Sequence, residues 1–367
     1  VALVEAFVAL TVERSLGQVM LQHPLNVVTL TPSPRPPGPL TSLAAQLAPR
    51  TVDEALDAAV RLGPLAPAPA TGSTADLWQT LATIAAHDLG AARAVEPHLD
   101  ALAILQQSGL ESPTDDPAAA ARTWGVFAAE GGDDPLIAIR SGESWLLSGT
   151  KPWCSLASRL DRALVSARTP DGERRLFAVD LTRPSVEAIA DSWHARGLTE
   201  IPSGPVRFDN AVGVAVGEAG WYLSRPGFAW GGIGVAACWF GGAVGIARTV
   251  FAAARDDKPF VLMHVGAIDE LLESARRALV EAADLIDSDP DYAEGARLAL
   301  RVRATVARAC EEIVERSGHA LGPAPLALDA AHAKRVADLV LYVRQHHAEH
   351  DQHALGSALL ASGVAPW

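Results

Sequence analysis

The chain has 367 residues, 49% of them hydrophobic, and a net charge of -13. That length buries a large core and accommodates two or three domains, while acidic charge spread along the chain excludes a nucleic-acid surface. The three cysteines, Cys154, Cys238 and Cys310, stand far apart, which excludes zinc fingers and disulfide-rich modules and fits a reducing cytoplasm.

Val1 to Leu30 is apolar in places but broken by Glu5, Glu13 and Arg14, and it lacks the basic start of an export signal. The following Thr31-Pro-Ser-Pro-Arg-Pro-Pro-Gly-Pro39 cannot be helix. Residues 1–40 are therefore expected to be an appendage with a proline-rich linker, and the compact protein to begin near Leu40. Over 41–121 the apolar residues recur at helical spacing, as in Val52, Ala55, Leu56, Ala59 and Val60, then Val95, Leu99, Leu102 and Leu105. A helical domain is expected there.

Over 122–220 the pattern changes to short β-rich runs between turn signals: Trp124 to Ala128, Leu136 to Ile139, Trp145 to Leu147, Ala163 to Ser166, Arg175 to Val179 and Val206 to Phe208. They predict an antiparallel β-domain. Long helical periodicity returns over 221–367, with Ile268, Leu271, Leu272, Ala275 and Leu279 on one face, and Asp329 to Leu360 as the last element. The fold class is α+β, helical domains flanking a sheet domain.

Pro226 to Ala247 carries no charge and is long enough to cross a bilayer. Its glycines, including Gly241-x-x-x-Gly245, and an arginine at each end read instead as a closely packed internal helix, so no membrane span is expected. Gly232-Ile-Gly234-Val-Ala-Ala237 has the spacing of a dinucleotide fingerprint, but neither a preceding strand nor a β-α-β unit accompanies it. In the last helix, His346 and His350, like Glu349 and His353, stand four residues apart. That spacing suits metal ligands on one face, but an ordinary polar helix reads the same way, and no metal is expected.

The stretch Trp145-Leu-Leu-Ser-Gly-Thr-Lys-Pro-Trp-Cys-Ser155 reads as strand, turn at Ser148 to Thr150, and extended exit. In an extended exit Trp153 and Ser155 point to one side, an aromatic wall beside a hydroxyl, which suits a flat heteroaromatic ligand. Trp145 and Trp153 as plain core residues are the alternative.

Four segments resemble the acyl-CoA dehydrogenase family. Phe127-Ala-Ala-Glu-Gly-Gly-Asp133 is similar to its Thr-Glu-Pro-Gly flavin loop, and Leu147-Ser-Gly-Thr-Lys-Pro-Trp-Cys-Ser155 to its Gly-x-Lys-x-Trp-Ile-Thr strand. Arg196-Gly-Leu-Thr-Glu-Ile-Pro-Ser-Gly-Pro-Val-Arg-Phe208 resembles the Gly-Leu-Arg to Val-x-Phe run, and Gly217-Glu-Ala-Gly-Trp221 the exit into the bundle. The resemblance implies an N-terminal helical domain, a central antiparallel β-domain, a C-terminal four-helix bundle and bound FAD. It implies flavin contacts from Phe127, Ala128, Ala129, Gly132, Trp153 and Ser155, with Ala129 replacing the family's threonine by backbone donors alone. Arg255 stands nearest the arginine that reaches cofactor phosphates. The implied substrate is an acyl-CoA or acyl-carrier thioester of fatty acid metabolism, oxidised at its α,β bond, with an electron-acceptor flavoprotein and a homodimer or homotetramer as partners.

The reaction needs a carboxylate base. By the resemblance that base falls close to Val340, or near Gly231 and Gly232, and neither place carries a carboxylate. Asp338 and Glu349 are the candidate replacements, and solvated surface charge is the ordinary reading of each. Three readings stay open: dehydrogenase, related flavin monooxygenase, and a base-less partner or acyl-binding subunit.

Overall fold

The computed structural model describes residues 27–31, 36–110, 121–131, 134–365 and 367. Four helices lead: α1 (Pro39–Leu47), α2 (Val52–Leu62), α3 (Thr74–His87) and α4 (Leu89–Gln107). A reciprocal box starts α2, the Thr51 hydroxyl accepting from the Glu54 amide while the Glu54 carboxylate accepts from the Thr51 amide, so two orphan donors are satisfied. Asp88 caps α4 by accepting from the Ala91 amide. Pro97 lies inside α4 and leaves the Arg93 carbonyl without its helical donor.

The compact protein begins before Leu40, contrary to expectation. Val28 and Leu30 are buried, and their amides donate to Thr83 Oγ1 and Gln79 Oε1 of α3. Apolar burial with both amides satisfied joins this short segment to the core. Residues 1–26 lie outside the described residues.

The sheet comprises β1 (Trp124–Phe127), β2 (Ile137–Ser141), β3 (Ser144–Lys151), β4 (Arg162–Arg168), β5 (Arg174–Asp180), β6 (Val186–Ala188) and β7 (Val206–Val216). Its order is β1-β4-β2-β3-β7-β5, and β5 pairs back onto β4, so the strands from β4 to β5 close on themselves and bury their edges. Most pairs are antiparallel, but β1 and β2 run parallel to β4, which makes the sheet mixed where an antiparallel one was expected.

Helices α5 (Trp221–Ser224), α6 (Pro226–Ala253), α7 (Pro259–Ser288), α8 (Gly295–Leu321), α9 (Ala324–Leu328), α10 (Ala330–Tyr342) and α11 (Glu349–Ala361) complete the described chain. Helix α6, uncharged from Pro226 to Ala247, is central, packed on α3, α4, α7, α8 and α10. A Cβ at Gly241 would collide with the Ala82 carbonyl, so that glycine lets two helix backbones touch, and one at Gly245 would stand 2.6 Å from Arg335 Nε and 2.9 Å from the Ala86 carbonyl. Gly232 and Gly234 lie within α6, outside any strand-turn-helix. The expected single last helix is broken: a 3-10 turn spans Val343–Gln345, and Ala348 adopts φ +43. His346 thus precedes α11, and His346 and His350 do not share a helix.

Gly241→Leu is expected to destabilise the protein by about 1–3 kcal/mol or more through overpacking, read from urea unfolding. Gly266→Ala, where the added Cβ meets nothing on α7, should instead gain up to about 1 kcal/mol. Equal tolerance at both positions would contradict the backbone contact.

Candidate functional site

The expected turn at Ser148 to Thr150 is a bulge inside β3. Pairing with β7 slips between Leu147 and Gly149, and Gly149 sits at φ +121 against the Pro135 carbonyl. Beyond Lys151 the chain is not extended: Trp153 takes φ +59 and Leu156 φ +57, a left-handed backbone that bulky residues adopt only under constraint. The alternation of sides is lost. Trp153 stands 62% exposed with Trp193 edge-on to its ring, whereas Ser155 turns inward and is 8% exposed. Ser155 Oγ lies 2.7 Å from Ser203 Oγ and accepts from Arg93 Nη2 of α4 at 2.9 Å. It joins the sheet to the first helical layer.

The loop after β1 flanks this junction. Phe127 is buried in the core, the Ala128 carbonyl accepts from Arg174 and Ser166, Ala129 is partly exposed, and Gly131 takes φ +130 in open space. Gly132 lies outside the described residues. Glu130 organises the loop, pairing with Lys151 at 3.6 Å, Arg168 at 2.9 Å and Arg174 at 3.2 Å. Burial works against its charge, but Arg174, Lys151 and Arg168 outweigh it and hold the carboxyl below its ordinary value. Burial drives Lys151 down to about 8, with Glu130 pulling the other way, and its ammonium donates to Ser166 at 2.8 Å.

The two carboxylates expected as bases occupy other roles. Asp338 is buried and accepts from the Leu198 amide at 2.6 Å and from Lys334 at 2.7 Å, and Lys334 also meets Asp88 at 3.0 Å and Glu200 at 2.7 Å. Burial raises its pKa while Lys334 and the amide oppose that rise. Gly197 allows the approach, since a Cβ there would strike the Ala337 carbonyl. Asp338 is therefore a tie between α10 and the 197–200 loop, not a free base. Glu349 is exposed at the start of α11, and Val340 is 49% exposed. Arg255 is exposed and donates to the Ala252 and Ala254 carbonyls, so it caps the end of α6 instead of standing free for phosphate.

Sequence reasoning missed a charged stripe on α4: Arg93, Glu96 and Asp100. Spacing of three and four residues places them on one face, a signal that reads as a solvated face until α2, α3, α6 and β1 are seen packed around the helix. Glu96 is 7% exposed, and burial followed by the neighbouring Asp100 raises its pKa to about 8, against Arg93 and Arg303. Burial also raises Asp100, against Arg225. Arg303 of α8 donates to the Gly232 and Gln345 carbonyls at 2.7 Å each and lies over the Trp239 ring. Arg93 lies over the ring of Tyr342, whose buried hydroxyl meets the buried Cys238 thiol. Between Arg93, Pro97, Phe127 and Ser155 runs a cavity of about 10 Å³, roughly what one water needs. Among the described residues no group of three or more His, Cys, Asp or Glu is set to hold a metal ion.

No known family model matches the sequence, and no curated protein does. Solved structures do. TdsC from Paenibacillus sp. A11-2, a dibenzothiophene monooxygenase solved with FMN and indole, is similar at 18% identity over 89% of this chain and 97% of its own, with TM-score 0.73. KijD3 with FMN and a dTDP-amino sugar follows at 19% identity, 90% and 96% coverage and TM-score 0.69. The steroid ACAD Tcur3481-Tcur3483, as a G363A variant, gives 22% identity, 88% and 97% coverage and TM-score 0.67. These likenesses establish the fold: α+β, helices, sheet and helices, of the acyl-CoA dehydrogenase type.

Folded Glu96 holds its proton up to about pH 8, against an ordinary 4.5 when unfolded. The folded state binds the extra proton in that window, so its stability is full at the acid end and falls as pH rises toward 8. Urea midpoints at about pH 5 and about pH 8 should show this loss, on the order of a few kcal/mol, in the parent protein and not in Glu96→Gln. Identical slopes in both proteins would contradict the assignment.

Proposed function

We propose that this chain is a flavin-dependent oxidoreductase acting on an acyl thioester. Trp153 carries the reading: a tryptophan 62% exposed and held at φ +59 pays a conformational cost that no core contact of its ring explains. Its indole presents a stacking plane for a flat ring. Ser155 and Arg93 lie just inside it, and the open backbone at Gly131 offers amide donors to a ring edge. These residues fit a flavin, as does the fold's likeness to proteins solved with FMN. FAD is the form that the family resemblance favours.

When bound, the flavin supplies two-electron redox chemistry. Trp153 would stack on the ring, and Ser155 fixes the Arg93 guanidinium, whose positive charge would favour the electron-rich form of such a cofactor. The α6–α7 corner exposes Phe251 at 70%, Phe260 at 78% and Met263 at 55%, an apolar patch that supports association into a homodimer or homotetramer. A partner flavoprotein would take the electrons onward.

A flavin monooxygenase is the second reading, favoured by the exposed Val340 and the engaged Asp338, since oxygen chemistry needs no carboxylate at that place. Absorbance spectra after titration with FAD and with FMN, then anaerobic addition of a panel of acyl-CoAs, test the first reading. Bleaching by one thioester is expected. Oxygen uptake with externally reduced flavin and no bleaching would replace it by the second, and a colourless protein that binds acyl-CoA without turnover would make the chain a binding subunit. Trp153→Ala should weaken flavin binding at least about tenfold, with stability changed by less than about 0.5 kcal/mol.

A further inference from the structure

We infer that Asp338 is a positioning residue of the aromatic site: through Leu198 it fixes Trp193, and Trp193 fixes the plane in which the Trp153 indole meets a flat ring. The identity of that ring rests on the proposed flavin reading, the relay on its own bonds. Trp153 is exposed, and the ring set against it is that of Trp193, 6.3 Å away between centroids and at 89°. An exposed indole turns among the rotamers of its side chain unless a neighbour holds it. The orientation of the stacking plane is therefore set by Trp193.

Trp193 lies in a segment without helix or strand, between β6 and β7, so its own placement needs a support. Its indole N–H donates to the Leu198 carbonyl at 3.0 Å, which also accepts from the Ile201 amide, and the Leu198 amide donates to Asp338 Oδ1 at 2.6 Å. Both polar groups of one backbone residue are thus engaged, one toward the site and one toward α10. Leu198 is held at φ +50 and Asp191, two residues before Trp193, at φ +52, a backbone that residues other than glycine keep where their surroundings over-determine it. Asp338 supplies that constraint from a buried position, its second oxygen on Lys334, which also reaches Glu200 of the same segment. A Cβ on Gly197 would strike the Ala337 carbonyl, so the segment is seated on α10 backbone to backbone.

Helix α10 reaches the other side of the site as well. Tyr342 follows Asp338 by one turn and so shares its face; its ring carries the Arg93 guanidinium at 5.7 Å, and Arg93 donates to Ser155. One helix face sets Trp153 by way of Trp193 and Ser155 by way of Arg93. A displacement of α10 moves both walls together, whereas cutting one relay disturbs one wall. Asp338 touches neither indole, and its part is placement.

The test uses the full chain labelled with fluorotryptophan and read by fluorine NMR, with the Trp153 and Trp193 resonances assigned by Trp153→Phe and Trp193→Phe. Without any ligand, Asp338→Ala should move both resonances, and Asp338→Asn, whose side-chain oxygen still accepts from the Leu198 amide, should return them to the parent positions. Trp193→Phe keeps a ring but loses the indole donor, and it should move the Trp153 resonance even if Asp338→Ala fails to fold. Titration with FMN, followed by quenching of its fluorescence, should show binding weakened about two- to tenfold by Trp193→Ala, with Asp338→Asn at the parent value. A Trp153 resonance indifferent to Trp193→Phe overturns the inference, and so does FMN bound equally by the parent and by Trp193→Ala. A parent protein that takes up neither FMN nor FAD, while its Trp153 resonance still follows Trp193 and Asp338, upholds the relay and rejects the flavin reading.

Discussion

Everything in this molecule depends on how closely α6 approaches α3. At Gly241 the two backbones meet with no side chain between them, and at Gly245 the Ala86 carbonyl and the Arg335 side chain both close on the glycine, so the helical layers have no slack. Helix α4, whose Asp88 cap follows α3 directly, is drawn into the same seam. Its stripe of Arg93, Glu96 and Asp100 is therefore enclosed by protein on a helix that would show those charges to water if the layers stood apart. Burying charges costs several kcal/mol per ion unless they are compensated. Compensation here is incomplete: Arg303 and Arg225 spend their hydrogen bonds on the Gly232 and Gln345 carbonyls and on Gln107, and Glu96 is left holding a proton.

The sheet is fastened to that seam at few points, and each fastening shapes the site. Arg93 reaches Ser155; Lys334 gathers Asp88, Glu200 and Asp338, so one ammonium joins α4, the 197–200 loop and α10. Glu130 gathers Lys151, Arg168 and Arg174 under the loop after β1. Together they hold the exit of β3 so firmly that Trp153 is kept left-handed and outward. Strain of this kind persists only where the surroundings over-determine it. Rigid placement of an exposed aromatic beside a buried polar seam suits a flat ring.

The order of helices, sheet and helices was legible because periodicity is a local property: Val52 to Val60 and Ile268 to Leu279 show the helical repeat, and Ala163 to Ser166 a buried strand. Internal burial of α6 was legible too, through its glycines. Features that depend on contacts distant in sequence were not. The parallel pairing of β1 with β4, the inward turn of Ser155 and the engagement of Asp338 by the Leu198 amide involve partners tens of residues away. The α4 stripe shows the limit most plainly. Charges three and four residues apart carry the same local pattern on a wet face and in a sealed one, and only the packing of α6 and β1 tells them apart.

A crystal structure of the protein soaked with FAD or FMN tests the central claim most directly, that Trp153 and the α4 seam form one site. The ring should lie on the Trp153 indole, with Ser155 and Arg93 at its inner edge. A flavin bound away from Trp153, or a Trp153 covered by a second copy of the chain with no room for the ring, would contradict the account.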